Sequence, residues 1–200
     1  MRGIEHGKSR LAGTLDDARR GQLNRWLLSN TLAVIARWRG DLKHCAVVSP
    51  CAQALELAQL AGADAVRETT AAAGLNPALA LGLAHALQKG ASKVLVLACD
   101  LPDLTVAALD ALVAAASAPR CVAIAPDKLV SGTNALLTDA DAGIEFHFGE
   151  HSLMRHRAWA EAHGFAVQLV DRPELAFDLD TPDDLALWMQ RAPAHIAMGD

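Results

Sequence analysis

Several groups of residues have types and spacings that could do chemistry. Asp100 closes the apolar run Lys93-Val94-Leu95-Val96-Leu97-Ala98-Cys99 and precedes Leu101-Pro102. A carboxylate placed straight after a buried strand needs a metal, a cationic partner or backbone N–H groups. Ligands of open parallel sheets bind beyond the carboxyl ends of the strands. A turn or helix-capping aspartate before Pro102 is the plainer alternative. Asp178 and Asp180 stand in Phe177-Asp178-Leu179-Asp180-Thr181-Pro182. In extended backbone the period of two puts both carboxylates on one face, where they repel unless they share a cation. Hard oxygen donors without a nearby Cys or His pair suit Mg²⁺ better than zinc. The alternative is that Asp180 or Thr181 caps the last helix and Asp178 is solvated.

Three further segments offer sites for anions. Arg2-Gly3-Ile4-Glu5-His6-Gly7-Lys8-Ser9-Arg10-Leu11 combines glycines, which permit close backbone approach, with Arg2, Lys8 and Arg10, which could neutralise a polyphosphate. A Walker A loop spaces its glycines more widely than Gly3 and Gly7 and follows a strand, so the segment is either an anion site of another kind or a solvated basic start. Gly132-Thr133-Asn134 presents backbone and hydroxyl donors. Phe146-His147-Phe148-Gly149 runs into Glu150-His151-Ser152 at a helix start, where free N–H groups and the dipole favour a phosphate. Ordinary capping would account for Ser152 equally well, and a place on a sheet face for His147.

These residues need a scaffold, and the apolar pattern supplies one. Leu23, Trp26, Leu27, Val34, Ile35 and Trp38 recur at helical spacing and predict a helix over 16–39, stopped by Gly40. A strand at 45–48 leads into an alanine-rich helix ending at Gly62, and a weak strand over 63–67 leads into a helix over 77–89. The run 93–99 reads as a parallel strand covered on both faces, followed by a helix over 104–117 and a strand over 121–125. Shorter strands are expected at 134–138, 144–148 and 166–170, with helices at 152–163 and 182–191. Alternating strand and helix predict an α/β domain with a mostly parallel sheet. With no linker, repeat or low-complexity tract, residues 1–200 read as one domain.

Composition narrows the function classes. The chain has 200 residues and a net charge of −5, with no basic run longer than Arg19-Arg20, so nucleic acid and anionic membrane are not expected partners. Its least charged stretch, 69–88, is broken by Gly74, Asn76-Pro77, Gly82 and His85 and is no membrane span. Cys45, Cys51, Cys99 and Cys121 lie in or beside apolar runs without Cys-x-x-Cys spacing, as expected of buried thiols in a cytoplasmic protein.

Taken in order, Gly7-Lys8-Ser9-Arg10-Leu11-Ala12, Gly74-Leu75-Asn76, Asp100-Leu101-Pro102, Ala125-Pro126-Asp127, Gly132-Thr133-Asn134, Phe146-x-Phe148-Gly149-x-x-Ser152 and Asp178-x-Asp180-Thr181-Pro182 resemble the 2-phospho-L-lactate guanylyltransferase family of coenzyme F420 biosynthesis. That family includes phosphoenolpyruvate and 3-phosphoglycerate guanylyltransferases. The resemblance implies a three-layer α/β sandwich with a mixed, mostly parallel sheet, like that of nucleotide-diphospho-sugar transferases. It also implies condensation of GTP with a small phosphorylated carboxylic acid, with release of pyrophosphate. Lys8, Asp100, Asp178 and Asp180 would form the catalytic set. Arg2, Gly3, Lys8, Gly74 and Asn76 would bind the nucleotide, and the three aspartates would ligate magnesium. Thr133, Gly149 and Ser152 would hold the acid's phosphate. The implied partners are a downstream deazaflavin transferase and a second copy in a homodimer.

The sequence departs from the family at Cys99, where alanine is usual, and His147 fills the variable place in Phe-x-Phe-Gly; both would flank the acceptor pocket. The family's apolar first strand has no equivalent before Met1-Arg2-Gly3, from which a truncated first strand is expected. A molybdenum-cofactor or sugar-phosphate nucleotidyltransferase and a non-catalytic nucleotide-binding subunit are the competing readings.

Overall fold

The computed structural model describes residue 4 and residues 7–68 and 74–191. A short 3-10 helix, Ser9–Leu11, precedes the long helix α1, Asp17–Arg39. The Asp16 carboxylate accepts the Arg19 N–H at 2.8 Å and so satisfies a first-turn donor. The chain then alternates through β1 (Ala46–Ser49), α2 (Ala52–Ala61), β2 (Asp64–Arg67), α3 (Leu75–Gln88), β3 (Lys93–Leu97), α4 (Val106–Ala115) and β4 (Cys121–Pro126). It closes with β5 (Thr133–Asp139), α5 (Ser152–Ala162), β6 (Ala166–Leu169), a single-turn helix α6 (Pro173–Ala176) and α7 (Pro182–Arg191).

β1 and β2 pair in parallel, while β3, β5, β4 and β6 form a second sheet in that order. β5 runs antiparallel to both β3 and β4, and β6 is parallel to β4. The period of two in the central strands explains the layers. Ala123, Ala125, Ala135 and Leu137 turn to the face covered by α4 and the C-terminal part of α1, with Leu109, Leu112 and Val34. Val122, Ile124 and Leu136 turn to the opposite face, covered by α5 through Leu153, Trp159 and Ala160. α1 also reaches the smaller sheet, where Leu28 and Leu32 pack with Val47, Ala54 and Ala58. The result is helices, sheet, helices, the expected α/β sandwich, but its larger sheet is not mostly parallel: β5 enters between β3 and β4 and pairs antiparallel with both, and only β4 and β6 are parallel there.

Three local expectations change. β3 is paired antiparallel with β5 and its apolar residues are only half-buried, so it is not the doubly covered parallel strand that its composition suggests. Residues 144–148 form no strand, although Ile144 and Phe146 are buried in the α5 layer. α6 is not visible in the periodicity because a single turn has none. Among the described residues no helix is long and apolar enough to cross a membrane.

Candidate active site

The strand register gathers the candidate residues at one end of the larger sheet. Leu97 lies opposite Ala135, and the Ala98 N–H donates to the Asn134 carbonyl at 2.8 Å. Asp100, just after β3, and Thr133, at the start of β5, therefore share the edge where β3 and β4 end. The Leu179 N–H donates to the Asp100 carbonyl at 3.0 Å and brings the third acidic segment alongside. Phe177 and Leu179 are buried against α1 and α7, and this alternation leaves Asp178 and Asp180 on the other side of the segment.

Lys8 is the centre of the charged group. Its ammonium donates to Asp100 Oδ2 at 3.0 Å and to Asp180 Oδ1 at 2.8 Å, and its side chain is only 8% exposed. Burial by itself would lower the Lys8 pKa, but the two carboxylates outweigh it and hold the group above the ordinary lysine range. Lys8 also has a left-handed backbone (φ 56, ψ 47), a conformation that costs a non-glycine residue about 1 kcal/mol or more and here aims the side chain at the aspartates. Arg10 approaches the other Asp180 oxygen at 3.8 Å from the exposed side.

Asp178 differs from its neighbours. Its Oδ1 is buried without a hydrogen-bond partner. Burial first, then the Asp100 and Asp180 charges, push its pKa up. An unpartnered carboxylate oxygen beside two more carboxylates is a set of hard oxygen donors, which fit Mg²⁺. Among the described residues no three His, Cys, Asp or Glu side chains stand close enough to enclose an ion. Mg²⁺ is commonly held by one or two carboxylates together with substrate phosphates, so the donors fit an ion that arrives with a nucleotide.

Thr181 and Asp184 fix this segment. Asp184 Oδ2 accepts the N–H groups of Asp180 and Thr181 at 3.1 and 2.8 Å, and Thr181 Oγ1 accepts the Asp184 N–H at 3.2 Å. The reciprocal pair caps α7 in the manner of a capping box. Lys128 donates to the Asp184 carboxylate from the β4–β5 turn. Although burial opposes it, these bonds take the Asp184 pKa down to about 2.

Across the sheet edge lies a second, uncharged group. Thr133 opens β5, Ser152 opens α5, and both are buried. Between them passes Gly149, whose φ of 121° is open only to glycine and whose carbonyl accepts the Ser152 N–H at 3.2 Å. The preceding backbone is pinned by side chains: Phe148 donates its N–H to Asn76 Oδ1 at 2.7 Å and accepts Asn76 Nδ2 at 3.1 Å. Asn76, expected on the nucleotide side, thus lies in the first turn of α3 with its amide engaged by the backbone of Phe148. Gly74 caps that helix at φ 85°, ψ −172°. Arg2 and Gly3 lie outside the described residues.

Sequence reasoning did not single out His156, Lys128 or Asp184 for the site. The Thr-x-x-Asp spacing before an apolar helix is a visible signal for Asp184. Cys99 follows β3 and joins the layer beneath α1 and α2; burial pushes its thiol up to about 11, so it packs as a neutral group. His147 donates its backbone N–H to His156, and its ring lies 3.7 Å from Glu145.

A carboxylate group threaded by cations, facing an uncharged donor group across one sheet edge, is suited to joining two anions. The family model described as "Guanylyl transferase CofC like" matches residues 1–192. The chain is 40% identical to a phosphoenolpyruvate guanylyltransferase of Rubrobacter xylanophilus, over 92% of this chain and 87% of that protein. It is 35% identical to a 3-phospho-D-glycerate guanylyltransferase of Phenylobacterium zucineum, over 96% and 88%. A solved structure from Desulfovibrio desulfuricans, described as a nucleotide-diphospho-sugar transferase, superposes with a TM-score of 0.76 at 16% identity, covering 97% of this chain and 86% of that one. A nucleotidyl transferase from Methanothermobacter superposes with a TM-score of 0.64 at 18% identity, over 82% and 79%. At those identities the structures speak for the fold, whereas the extent of the family match and of the relatives decides the kinship: this chain belongs to the CofC-like guanylyl transferase family.

Proposed function

We propose that the protein transfers the guanylyl group of GTP to the phosphate of a small phosphorylated carboxylic acid, releasing pyrophosphate, as a step of coenzyme F420 biosynthesis in the cytoplasm. The observation that carries this reading is the division of the site into the Lys8–Asp100–Asp180 group and the Thr133–Gly149–Ser152 group on one sheet edge. The acid's phosphate oxygen attacks the α-phosphorus of GTP and pyrophosphate leaves, so the chemistry needs positioning and charge compensation rather than a covalent intermediate.

Lys8, held by two carboxylates, presents a fixed cation to the triphosphate and exchanges one carboxylate for phosphate oxygens as the nucleotide binds. Asp100, Asp178 and Asp180 would hold Mg²⁺ only together with the nucleotide's phosphates, no more than two of the carboxylates at a time, and the ion when bound would offset phosphate charge. The hydroxyls of Ser152, at the start of α5, and of Thr133 offer neutral donors to the acid's phosphate, beside the positive end of the helix dipole. Neutral donors bind the acceptor without drawing it away from the cationic side where it must react. Arg2 and Gly3 are further nucleotide contacts in this reading, as are Gly74 and, through the loop it pins, Asn76. A homodimer and a deazaflavin transferase that consumes the product complete the proposal.

The test is pyrophosphate release from GTP and Mg²⁺ with 2-phospho-L-lactate, phosphoenolpyruvate and 3-phospho-D-glycerate supplied separately, and a deazaflavin transferase present to trap a labile product. Release with one acid supports the reading and names the acceptor. Silence with all three acids contradicts it and turns attention to other nucleotidyl acceptors.

A further inference from the structure

His156 lies one helical turn after Ser152 on α5, so both face the acceptor side. Its side chain is 1% exposed and makes two hydrogen bonds of opposite character. On one side the backbone N–H of His147 donates to His156 Nε2 at 3.0 Å. On the other, His156 Nδ1 lies 3.1 Å from Thr133 Oγ1. The Phe148 ring meets the imidazole edge-on, with ring centroids 4.7 Å apart.

The first bond fixes the second. A backbone N–H can only donate, so Nε2 must be the unprotonated nitrogen. The proton of the neutral ring is therefore on Nδ1, which donates to Thr133 Oγ1. A hydroxyl has a single proton and two lone pairs, and a lone pair of Thr133 is taken by His156. What Thr133 has left is its proton and one lone pair, and to an ionised phosphate, whose oxygens only accept, it can offer only the proton. The ring is suited to this role because burial, with a smaller push from His147, lowers its pKa to about 4 and keeps it neutral.

We infer that His156 is the positioning residue of the acceptor side: with its proton on Nδ1 it makes the Thr133 hydroxyl a donor to the acid's phosphate, and through Nε2 it holds the 147–149 backbone in place. The inference rests on the proposed function for the identity of that ligand. It assigns the acceptor pocket a preference for hydrogen-bond acceptors at Thr133, whichever phosphorylated acid is used.

Three variants and one spectrum test it. His156→Leu removes both bonds at similar volume. Its KM for the acid is expected to rise about tenfold or more, the worth of a hydrogen bond to a charged group, with KM for GTP within about twofold. His156→Gln carries one amide donor and one acceptor and is expected to recover part of the loss. In a Thr133→Val background, His156→Leu should add less than about threefold, because the larger part of its effect passes through Thr133 and only the tie to the 147–149 backbone remains to be lost. Parallel increases in both KM values, no recovery by Gln, or full additivity would each mean that His156 serves only the fold. An active wild-type protein whose acid KM is unchanged by His156→Leu overturns this inference alone, whereas wild-type protein inactive with every acid overturns the reading beneath it. Nitrogen-15 NMR of the imidazole is independent of turnover: Nδ1–H is expected, and an Nε2–H tautomer contradicts the assignment.

Discussion

At the scale of single residues, few groups carry net charge into the site, and each has a separate task. Asp180 accepts from Lys8 and faces Arg10, and its neighbour Asp178 has an unpartnered oxygen. Asp180→Asn keeps the volume but removes a charge that seats Lys8 and that, in the proposed reading, would help to hold Mg²⁺. Turnover is expected to fall roughly 100-fold or more, with Tm within about 2 °C of wild type by differential scanning calorimetry. A loss of Tm typical of a core mutant would make Asp180 a structural residue instead. His156 yields a pH prediction. The unfolded chain's imidazole titrates near 6.5 and the folded one near 4, so below 6.5 the unfolded state binds the extra proton. The contribution to stability is complete above about pH 6.5 and is lost as the pH falls towards about 4. His156→Gln, which does not titrate, should flatten the Tm profile in that window, and an unaltered profile would place the titration elsewhere.

At the scale of elements, the site depends on backbone segments tied by side chains rather than by strand ladders. Asp184 caps α7 and, through Lys128, joins the 178–184 segment to the β4–β5 turn. Asp184→Ala removes the cap and leaves Lys128 with only the Asp178 carbonyl at 3.5 Å and the Phe177 ring. The cap alone is worth about 1 kcal/mol, so Tm should drop by roughly 2–4 °C or more. Activity should fall further than that small change in stability would cause, because the Asp180 N–H loses its acceptor. Measuring Tm and kcat on the same preparation checks both, and a normal kcat would separate the cap from the site.

The same scale explains what the sequence did and did not reveal. The alternation of α1 to β4 was legible because long apolar runs and helical spacing encode it directly. The stretch 144–148 has the alternation of a strand, with Ile144, Phe146 and Phe148 pointing inward, yet its backbone partners are the side chains of Asn76, 72 residues from Phe148, and of His156 on the following helix, and strand alternation announces neither. The antiparallel run of β5 was hidden for a related reason, since strand direction depends on the connection and not on composition. Asp100, Asp178 and Asp180 could be picked out by their places after apolar or extended segments. That Lys8 would sit between two of them could not, because 92 and 172 residues separate the partners.

At the scale of the whole molecule, the site lies where α1, the end of β3, the start of β5 and the 178–184 segment meet. Asn30 on α1 donates to the Pro102 carbonyl at 3.2 Å, and Asn134 donates to the Leu175 carbonyl at 3.0 Å, so the surrounding elements are cross-tied. A nucleotide that brings Mg²⁺ to Asp178 would relieve its unsatisfied carboxylate and clamp these elements together. Mg²⁺ and GTP at about 100 times Kd should stabilise the protein by about 2.7 kcal/mol, raising Tm by roughly 5–10 °C. Asp180→Asn should lose most of that shift, and a wild-type protein that showed none would contradict nucleotide binding.

The most direct measurement follows the α-phosphorus itself. The protein is incubated with GTP labelled at the α-phosphate, Mg²⁺ and each phosphorylated acid in turn, and the label is traced by chromatography and on the denatured protein. Direct guanylyl transfer predicts that label moves into a product containing both GMP and the acid, that the pyrophosphate is unlabelled, and that none stays on the polypeptide. Label found as free GDP or GMP, label retained covalently by the protein, or unconsumed GTP with every acid would contradict it.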